Sequence, residues 1–287
     1  MPELPEVETI VRELNKKISG KKIKDVQIKI PKMTNIPVLD FNKKVKGKKI
    51  TKISRRAKMI IAKLSDGNYL LTHLKMTGQY VFVPKSGKIF SGGHPIAAIL
   101  LPNKFTHIIF TFEDGSKLFY NDIRKFGWVK YADKNLFNNE TGKYGIEPLE
   151  SKYTFKNFNG ILEKYPNRKI KQILMDQSLI AGVGNIYCDE ACFRAKIMPT
   201  RIVSSLTKEE RKKLFTLIPK ILQFAIDKGG TSADTYIRTD GTKGKMYDYL
   251  SVYGKKGKKC KIKKCQGTVE KIKLNGRGTY YCKNCQK

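Results

Sequence analysis

Apolar residues recur at three- and four-residue steps from Leu4 through Val7, Ile10, Val11 and Leu14 to Ile18, which predicts an amphipathic helix with one face committed to a core. Over residues 22–131 the period shortens. Val26, Ile28 and Ile30 alternate with polar residues, and Met59-Ile60-Ile61, Tyr69-Leu70-Leu71, Tyr80-Val81-Phe82-Val83, Ile108-Ile109-Phe110 and Leu118-Phe119-Tyr120 are short strand-like runs. Turn signals such as Asp66-Gly67-Asn68 and Glu113-Asp114-Gly115-Ser116 separate them. No helix-length periodic segment lies between these strands, which argues against parallel βαβ units and for an antiparallel sandwich.

Residues 132–157 are polar and rich in Asn, Lys and Gly, and from about 158 the pattern turns helical. Thr207-Lys208-Glu209-Glu210 has the form of a capping box; Leu214, Leu217, Ile218, Ile221, Leu222 and Ala225 follow on one face until Gly229-Gly230. Within 176–187, two helical stretches meet at the glycine hinge Ala181-Gly182-Val183-Gly184. The chain therefore reads as an α+β multidomain protein. An N-terminal antiparallel β-sandwich with flanking helices spans 1–135, a linker 136–157, a helical domain 158–240 and a terminal hairpin 245–287.

Charge changes this picture most. The 287 residues carry 58 basic against 25 acidic side chains, a net +33, which points to a polyanion partner and first to nucleic acid. Only 10 of the 58 are Arg, so lysine-rich usage contributes to the excess. A hydrophobic share of 40% excludes a disordered chain. No apolar run approaches the ~18–20 residues of a membrane span, and the N-terminus is acidic where a signal peptide is basic then apolar, so a cytoplasmic protein is expected.

Four of the six cysteines fall in the last 28 residues, as Cys260-x4-Cys265 and Cys282-x2-Cys285 with sixteen residues between the pairs. In a reducing compartment this pattern predicts one structural zinc, without which so short a segment would hardly fold. The turn Asn275-Gly276-Arg277-Gly278-Thr279 lifts Arg277 from the hairpin between the pairs. Cys188 and Cys192 lack further ligands nearby in sequence and read as small buried residues.

The N-terminus holds a second candidate chemistry. Removal of Met1 exposes Pro2 as a secondary amine, and an α-amino group titrates near ~7.7–8.0, so a useful fraction is neutral and nucleophilic at physiological pH. Attack on an aldehyde carbon yields an iminium, an electron sink for elimination, with Glu3 adjacent as a proton donor. Taken alone, the same residues also read as an ordinary helix start. Asn185, where a helix begins after the glycine hinge, suits a phosphate, and the same spacing fits a helical hairpin in a core.

Together MPELPEVET, the RRAK ending in Lys58, HLKMTG, NDIRKFG, AGVGNIYCDEACFRA, DGTKGKM, VYGKKGK and GRGTYYCKNCQK resemble the formamidopyrimidine-DNA glycosylase family over nearly the whole chain. The resemblance implies an N-terminal β-sandwich, a helix-two-turn-helix domain and a zinc-finger β-hairpin, with double-stranded DNA carrying damaged bases as partner. It implies excision of oxidised purines (8-oxoguanine, formamidopyrimidines) in base excision repair by a monomer, through a Schiff base followed by β,δ-elimination. By matching position Pro2 is the nucleophile, Glu3 the acid that helps open the sugar, Lys58 the proton donor in β-elimination, and Arg277 the δ-elimination residue and a phosphate contact. Lys171 and Asn185 become phosphate contacts, while Met76, Arg124 and Phe126 fill the space left by the extruded nucleotide.

Three departures stand out. The first cysteine pair is spaced by four where the family typically has two, and the expected lesion-capping stretch around Ser232-Ala233-Asp234 lacks the family's usual leucine and basic residue. Phe105 stands where a DNA-contacting His is common, and the nearby His107 fits that role. PELPEVE with NDIRKFG argues against the sister enzyme endonuclease VIII, and intact Pro2, Glu3 and Lys58 argue against a DNA- or RNA-binding module without catalysis.

Overall fold

The computed structural model describes residues 2–86, 101–231 and 244–287, with the backbone of 90–93. The Ser232-Ala233-Asp234 stretch and Met1 lie outside the described residues. Two compact units emerge, residues 1–142 with 228–245 and residues 143–227 with 246–287.

The first unit opens with α1 (Leu4–Ile18). Pro5 in its first turn costs no intrahelical hydrogen bond, and Lys16 and Lys17 in its last turn complement the helix dipole. Its apolar stripe of Leu4, Val7, Ile10, Val11, Leu14 and Ile18 is buried, as the spacing predicts. The strands β1 (Ile23–Ile28), β5 (Gly78–Val83), β6 (Phe90–Gly93), β7 (Thr106–Phe112) and β8 (Lys117–Asp122) form an antiparallel sheet in the order β1-β7-β8-β5-β6. A second antiparallel sheet runs β2-β3-β4-β9, from β2 (Ile50–Arg56), β3 (Met59–Leu64), β4 (Tyr69–His73) and β9 (Trp128–Ala132). Alternation sends Tyr80, Phe82, Ile108, Phe110 and Leu118 of the first sheet into one core with Ile53, Ile60, Ala62 and Leu70 of the second. The α1 stripe and Phe41 of α2 (Val38–Val45) complete that core. Tight turns join β2 to β3, β3 to β4 and β7 to β8, each pair antiparallel, whereas α2 intervenes between β1 and β2.

The expected linker is partly ordered: α3 (Lys134–Gly142) continues the first unit, with Tyr69 stacked on Phe137 at 4.0 Å. Residues 228–231, expected with the helical domain of 158–240, group with the sandwich unit, where Thr231 N–H donates to the buried Glu6 carboxylate at 2.7 Å.

The second unit contains α4 (Phe155–Glu163), α5 (Ile170–Met175), α6 (Asn185–Ala195), α7 (Lys208–Asp227), the single turn α8 (Met246–Tyr249) and a hairpin of β10 (Glu270–Leu274) and β11 (Arg277–Tyr281). The capping box at α7 is formed, Thr207 N–H donating to Glu210 at 2.8 Å and Glu210 N–H to Thr207 Oγ1 at 3.2 Å. Gly229 and Gly230 at φ +73° and +81° follow α7. Between α4 and α7, Tyr153 stacks on Phe215 at 4.9 Å, yet its buried hydroxyl has no hydrogen-bond partner among the described residues. Replacing Tyr153 by Phe is expected to raise thermal stability by about 1 kcal/mol, since an unmade buried hydrogen bond is removed with shape kept. A lower melting temperature would show that the hydroxyl is satisfied by water. Among the described residues no helix is long and apolar enough to cross a membrane.

Candidate active site and nucleic-acid interface

Pro2 and Glu3 are buried at the head of α1. Glu6, one turn in, accepts from Glu3 N–H at 2.8 Å with one carboxylate oxygen and from Thr231 N–H at 2.7 Å with the other. An α1 with its whole stripe in the core therefore holds the backbone beside Pro2 in one place. The β2–β3 hairpin turns on Ala57 and Lys58, between the paired residues Arg56 and Met59; Ala57 takes the left-handed conformation at φ +53°. Lys58 is buried despite sitting in a turn, and its charge acts on His73, whose strand partner is Met59. Burial, then Lys75 and Lys58, push the His73 imidazole down to about 3, so its Nδ1 is free of a proton and accepts from Lys75 N–H at 3.0 Å.

Two loops of the same unit share one anchor. Asp122 at the end of β8 is fully buried; it accepts from Thr77 Oγ1, from Arg124 N–H at 3.1 Å and from Gly127 N–H at 2.7 Å. Those bonds fix the β4–β5 turn carrying Met76 to the β8–β9 loop carrying Arg124 and Phe126. Phe126 is 54% exposed and stacks beneath the Arg124 guanidinium at 4.8 Å, while Met76 is half-buried and outside the core cluster. Gly127 is required by space: an added Cβ would lie 1.8 Å from Tyr120 Oη and 2.9 Å from the His73 carbonyl. His107, expected at the DNA surface, is buried beneath this loop with Nε2 2.7 Å from the Asp122 carbonyl. Burial holds its imidazole below the usual range.

In the second unit the glycine hinge closes around Gln177, which accepts from Gly182 N–H at 2.9 Å and donates to the Val183 carbonyl at 2.7 Å. Gly182 takes φ +93°, a conformation suited to glycine. Asn185 opens α6 and donates to the Gly278 carbonyl of β11 at 2.9 Å. The hairpin turns on Asn275 and Gly276, both at positive φ, leaving Arg277 exposed as the first residue of β11. A groove of about 270 Å³ lies between α5 and this turn, lined by Arg168, Lys171, Gln172, Asn275 and Arg277 among others. Lys171 is almost fully buried, its ammonium 2.6 Å from Asp189.

Cys260, Cys265, Cys282 and Cys285 bring their Sγ atoms within 4.8 Å of one another, with Cys260–Cys285 at 3.6 Å and Cys265–Cys282 at 3.8 Å. Thiolates about 2.3 Å from a tetrahedral zinc stand about 3.8 Å apart, so the four fit that ion, and the wider first knuckle does not spoil the geometry. Glu190 of α6 seats the approach to this knuckle, accepting from Ser251, Val252 and Tyr253 N–H at 2.8–3.0 Å. Gln286 ties its end to the segment just after α6 by donating to the Ile197 carbonyl at 2.8 Å. Cys188 and Cys192 are fully buried in α6, and burial pushes the Cys188 thiol up.

The organisers Glu6, Asp122, Asp189 and Glu190 were not singled out by the sequence reading. Their signal was an acidic residue at an otherwise apolar helical or strand position, as in the CDEACFRA run, where Asp189 falls four residues after Asn185 and so on the same helix face.

The chain matches the sequence profile of the formamidopyrimidine-DNA glycosylase N-terminal domain over residues 1–129, that family's H2TH domain over 144–236, and the zinc finger found in FPG and IleRS over 257–287. It belongs to the formamidopyrimidine-DNA glycosylase family. Similar formamidopyrimidine-DNA glycosylases include those of Streptococcus pneumoniae, 38% identical over 100% of this chain and 99% of the relative, and of Listeria monocytogenes, 39% identical over the whole of both. A Lactococcus lactis formamidopyrimidine-DNA glycosylase bound to abasic-site DNA superposes with a TM-score of 0.86 at 37% identity, covering 100% of each chain. A mutant of that glycosylase with Fapy-dG-containing DNA gives 0.87 at 38%, also over the whole of both chains. The fold expected from the resemblance, with its paired antiparallel sheets, helical H2TH domain and glycosylase-family zinc finger, is the one found.

Proposed function

We propose that the protein is a bifunctional DNA glycosylase and AP lyase of base excision repair, acting as a monomer on oxidised purines in duplex DNA. The observation that carries this reading is the Pro2-Glu3 terminus, buried at the head of a helix whose apolar face is locked into the sandwich core. The damaged nucleotide is extruded from the stack, because the reacting C1′ is otherwise out of reach. Pro2 nitrogen attacks C1′ and the base departs with the glycosidic electron pair and a proton. Glu3 protonates the sugar ring oxygen as the ring opens, leaving a C1′ iminium on Pro2. Removal of the C2′ proton to solvent sends its C–H electron pair into that sink, and the resulting enamine expels the 3′ phosphate, which takes a proton from Lys58; a second elimination, assisted by Arg277, expels the 5′ phosphate. Solved relatives holding abasic and Fapy-dG DNA support both the lyase and the purine assignment. The test is borohydride reduction with 8-oxoguanine duplex: a covalent complex is expected. A protein of verified Pro2 terminus giving neither a trapped band nor strand cleavage refutes it.

Zinc, when bound by Cys260, Cys265, Cys282 and Cys285, supplies a structural crosslink and no reaction step. Within that module Arg277, with Lys171 and Asn185 behind it, grips phosphate beside the groove. Log affinity for DNA is then expected to fall linearly with log salt, by about 0.9 per phosphate neutralised. Arg277→Ala weakens lesion and undamaged DNA alike and flattens that slope by roughly one unit. A wild-type slope near zero would mean that the +33 charge is not used on DNA.

Met76, Arg124 and Phe126, joined by Asp122, fill the vacated stack; Phe126 wedges beside the opposite strand and Arg124 donates to the orphaned cytosine. His107 supports their loop from below. Met76→Ala and Phe126→Ala are expected to cut lesion cleavage while barely moving the melting temperature, and Arg124→Ala to erase the preference for cytosine. A stability loss of ~2–5 kcal/mol with intact cleavage would put both apolar residues in the core instead.

A further inference from the structure

Asn185 and Asp189 stand one turn apart on α6, and both face β11. Asp189 is fully buried, and its two oxygens are used on different elements: Oδ1 accepts from the Lys171 ammonium at 2.6 Å, and Oδ2 accepts from Tyr280 N–H at 2.9 Å. The same ammonium reaches the Gly278 carbonyl at 3.4 Å, where Asn185 also donates at 2.9 Å. Three side-chain bonds, from Asp189, Lys171 and Asn185, thus converge on the backbone directly following Arg277, and the Lys171–Asp189 ion pair links two of those side chains. A buried carboxylate is costly unless paired; burial pushes Asp189 up and the Lys171 ammonium beside it pulls it back down. Such a group persists where its geometry is needed.

We propose that Asp189 is a positioning residue for Arg277: an anionic strut from α6, which with Lys171 holds β11 in register against the helices and so aims the guanidinium. The zinc knuckle lies at the far end of the same strand, so hairpin and helix are joined at two separate points. Metal binding alone does not seat Arg277. The inference rests on reading Arg277 as a phosphate contact.

The experiment uses the full, zinc-loaded chain. Asp189→Asn keeps the shape and removes the charge, leaving Lys171 buried without its counter-ion. Amide exchange at residues 278–281 is expected to quicken, and affinity for an abasic-analogue duplex to drop about tenfold, the scale on which members of one network depend on each other, with zinc staying at one per chain. Asp189→Asn in the Arg277→Ala background should then cost almost nothing more. Unchanged exchange, or penalties of the two substitutions that simply multiply, would overturn the proposal. If Asp189→Asn fails to fold, the volume-conserving pair Lys171→Met with Asp189→Leu, compared with wild type, removes the strut without leaving a buried charge unpaired. There too faster exchange at 278–281 is expected, and unchanged exchange overturns the strut. Should Arg277→Ala alone bind DNA as tightly as wild type, the phosphate reading fails, and the exchange result still decides whether Asp189 holds the strand.

Discussion

Placing one extra residue before Pro2, whether a retained Met1 or an added glycine, is expected to lower base excision and strand cleavage by roughly 10⁴-fold or more and to abolish the borohydride-trapped complex, as removal of a covalent nucleophile does. An amide nitrogen cannot attack C1′, because its lone pair is delocalised into the carbonyl. DNA affinity should change little, because the proposed phosphate contact Arg277 and its supports Lys171 and Asn185 belong to the other unit. Mass spectrometry of the intact terminus, read beside trapping yield, makes the comparison quantitative: yield should track the fraction of chains that begin at Pro2. Cleavage that persists in fully blocked protein would exclude Pro2 as nucleophile and leave a lysine to be sought.

Withdrawing zinc should produce the second large effect. Structural zinc sites contribute about 10–16 kcal/mol of apparent binding free energy near neutral pH, more than a small hairpin can recover from its own packing. The knuckle's core is slight: Val252, Val269 and Cys282 with Phe193 of α6, bordered by the other three cysteines. Chelation, or Cys265→Ser, is therefore expected to disorder residues 257–287 and to lower DNA affinity by about 100-fold or more, the scale lost when a handful of phosphate contacts go. Helical circular dichroism should hardly move, since α1 and α4–α7 are packed without the metal. Freshly purified, active protein containing no zinc would refute the assignment.

Much of this was legible because the patterns were long or the chemistry rare. The α1 stripe repeats over four turns, and the paired cysteines have few other uses in a reducing compartment. The resemblance supplied the H2TH architecture, which periodicity alone left as a generic helical region. Where the reading ran short, the cause was a contact distant in sequence. Nothing local in Gly230-Thr231 says that a backbone N–H there will meet Glu6, 225 residues earlier, so the pattern leaves 228–231 with the helices before it. The polar stretch at 134–142 has little helical amphipathicity and looked like linker, yet Phe137 finds Tyr69 to stack on. The resemblance sets His107 and Lys171 at the DNA, yet both are buried, His107 against the Asp122 carbonyl and Lys171 against the Asp189 carboxylate and the Gly278 carbonyl, partners that lie far off in sequence.

The shared anchor at Asp122 bears on how such a protein can be re-engineered. Thr77 of one turn and Arg124 and Gly127 of the other bond the same two oxygens, so the pair of turns is a single transplantable part. A graft that exchanges the β8–β9 loop for a relative's, to change which base is preferred opposite the lesion, should work when the β4–β5 turn travels with it. Moved alone, either turn arrives without its counterpart, and Met76 and Phe126 lose their common frame.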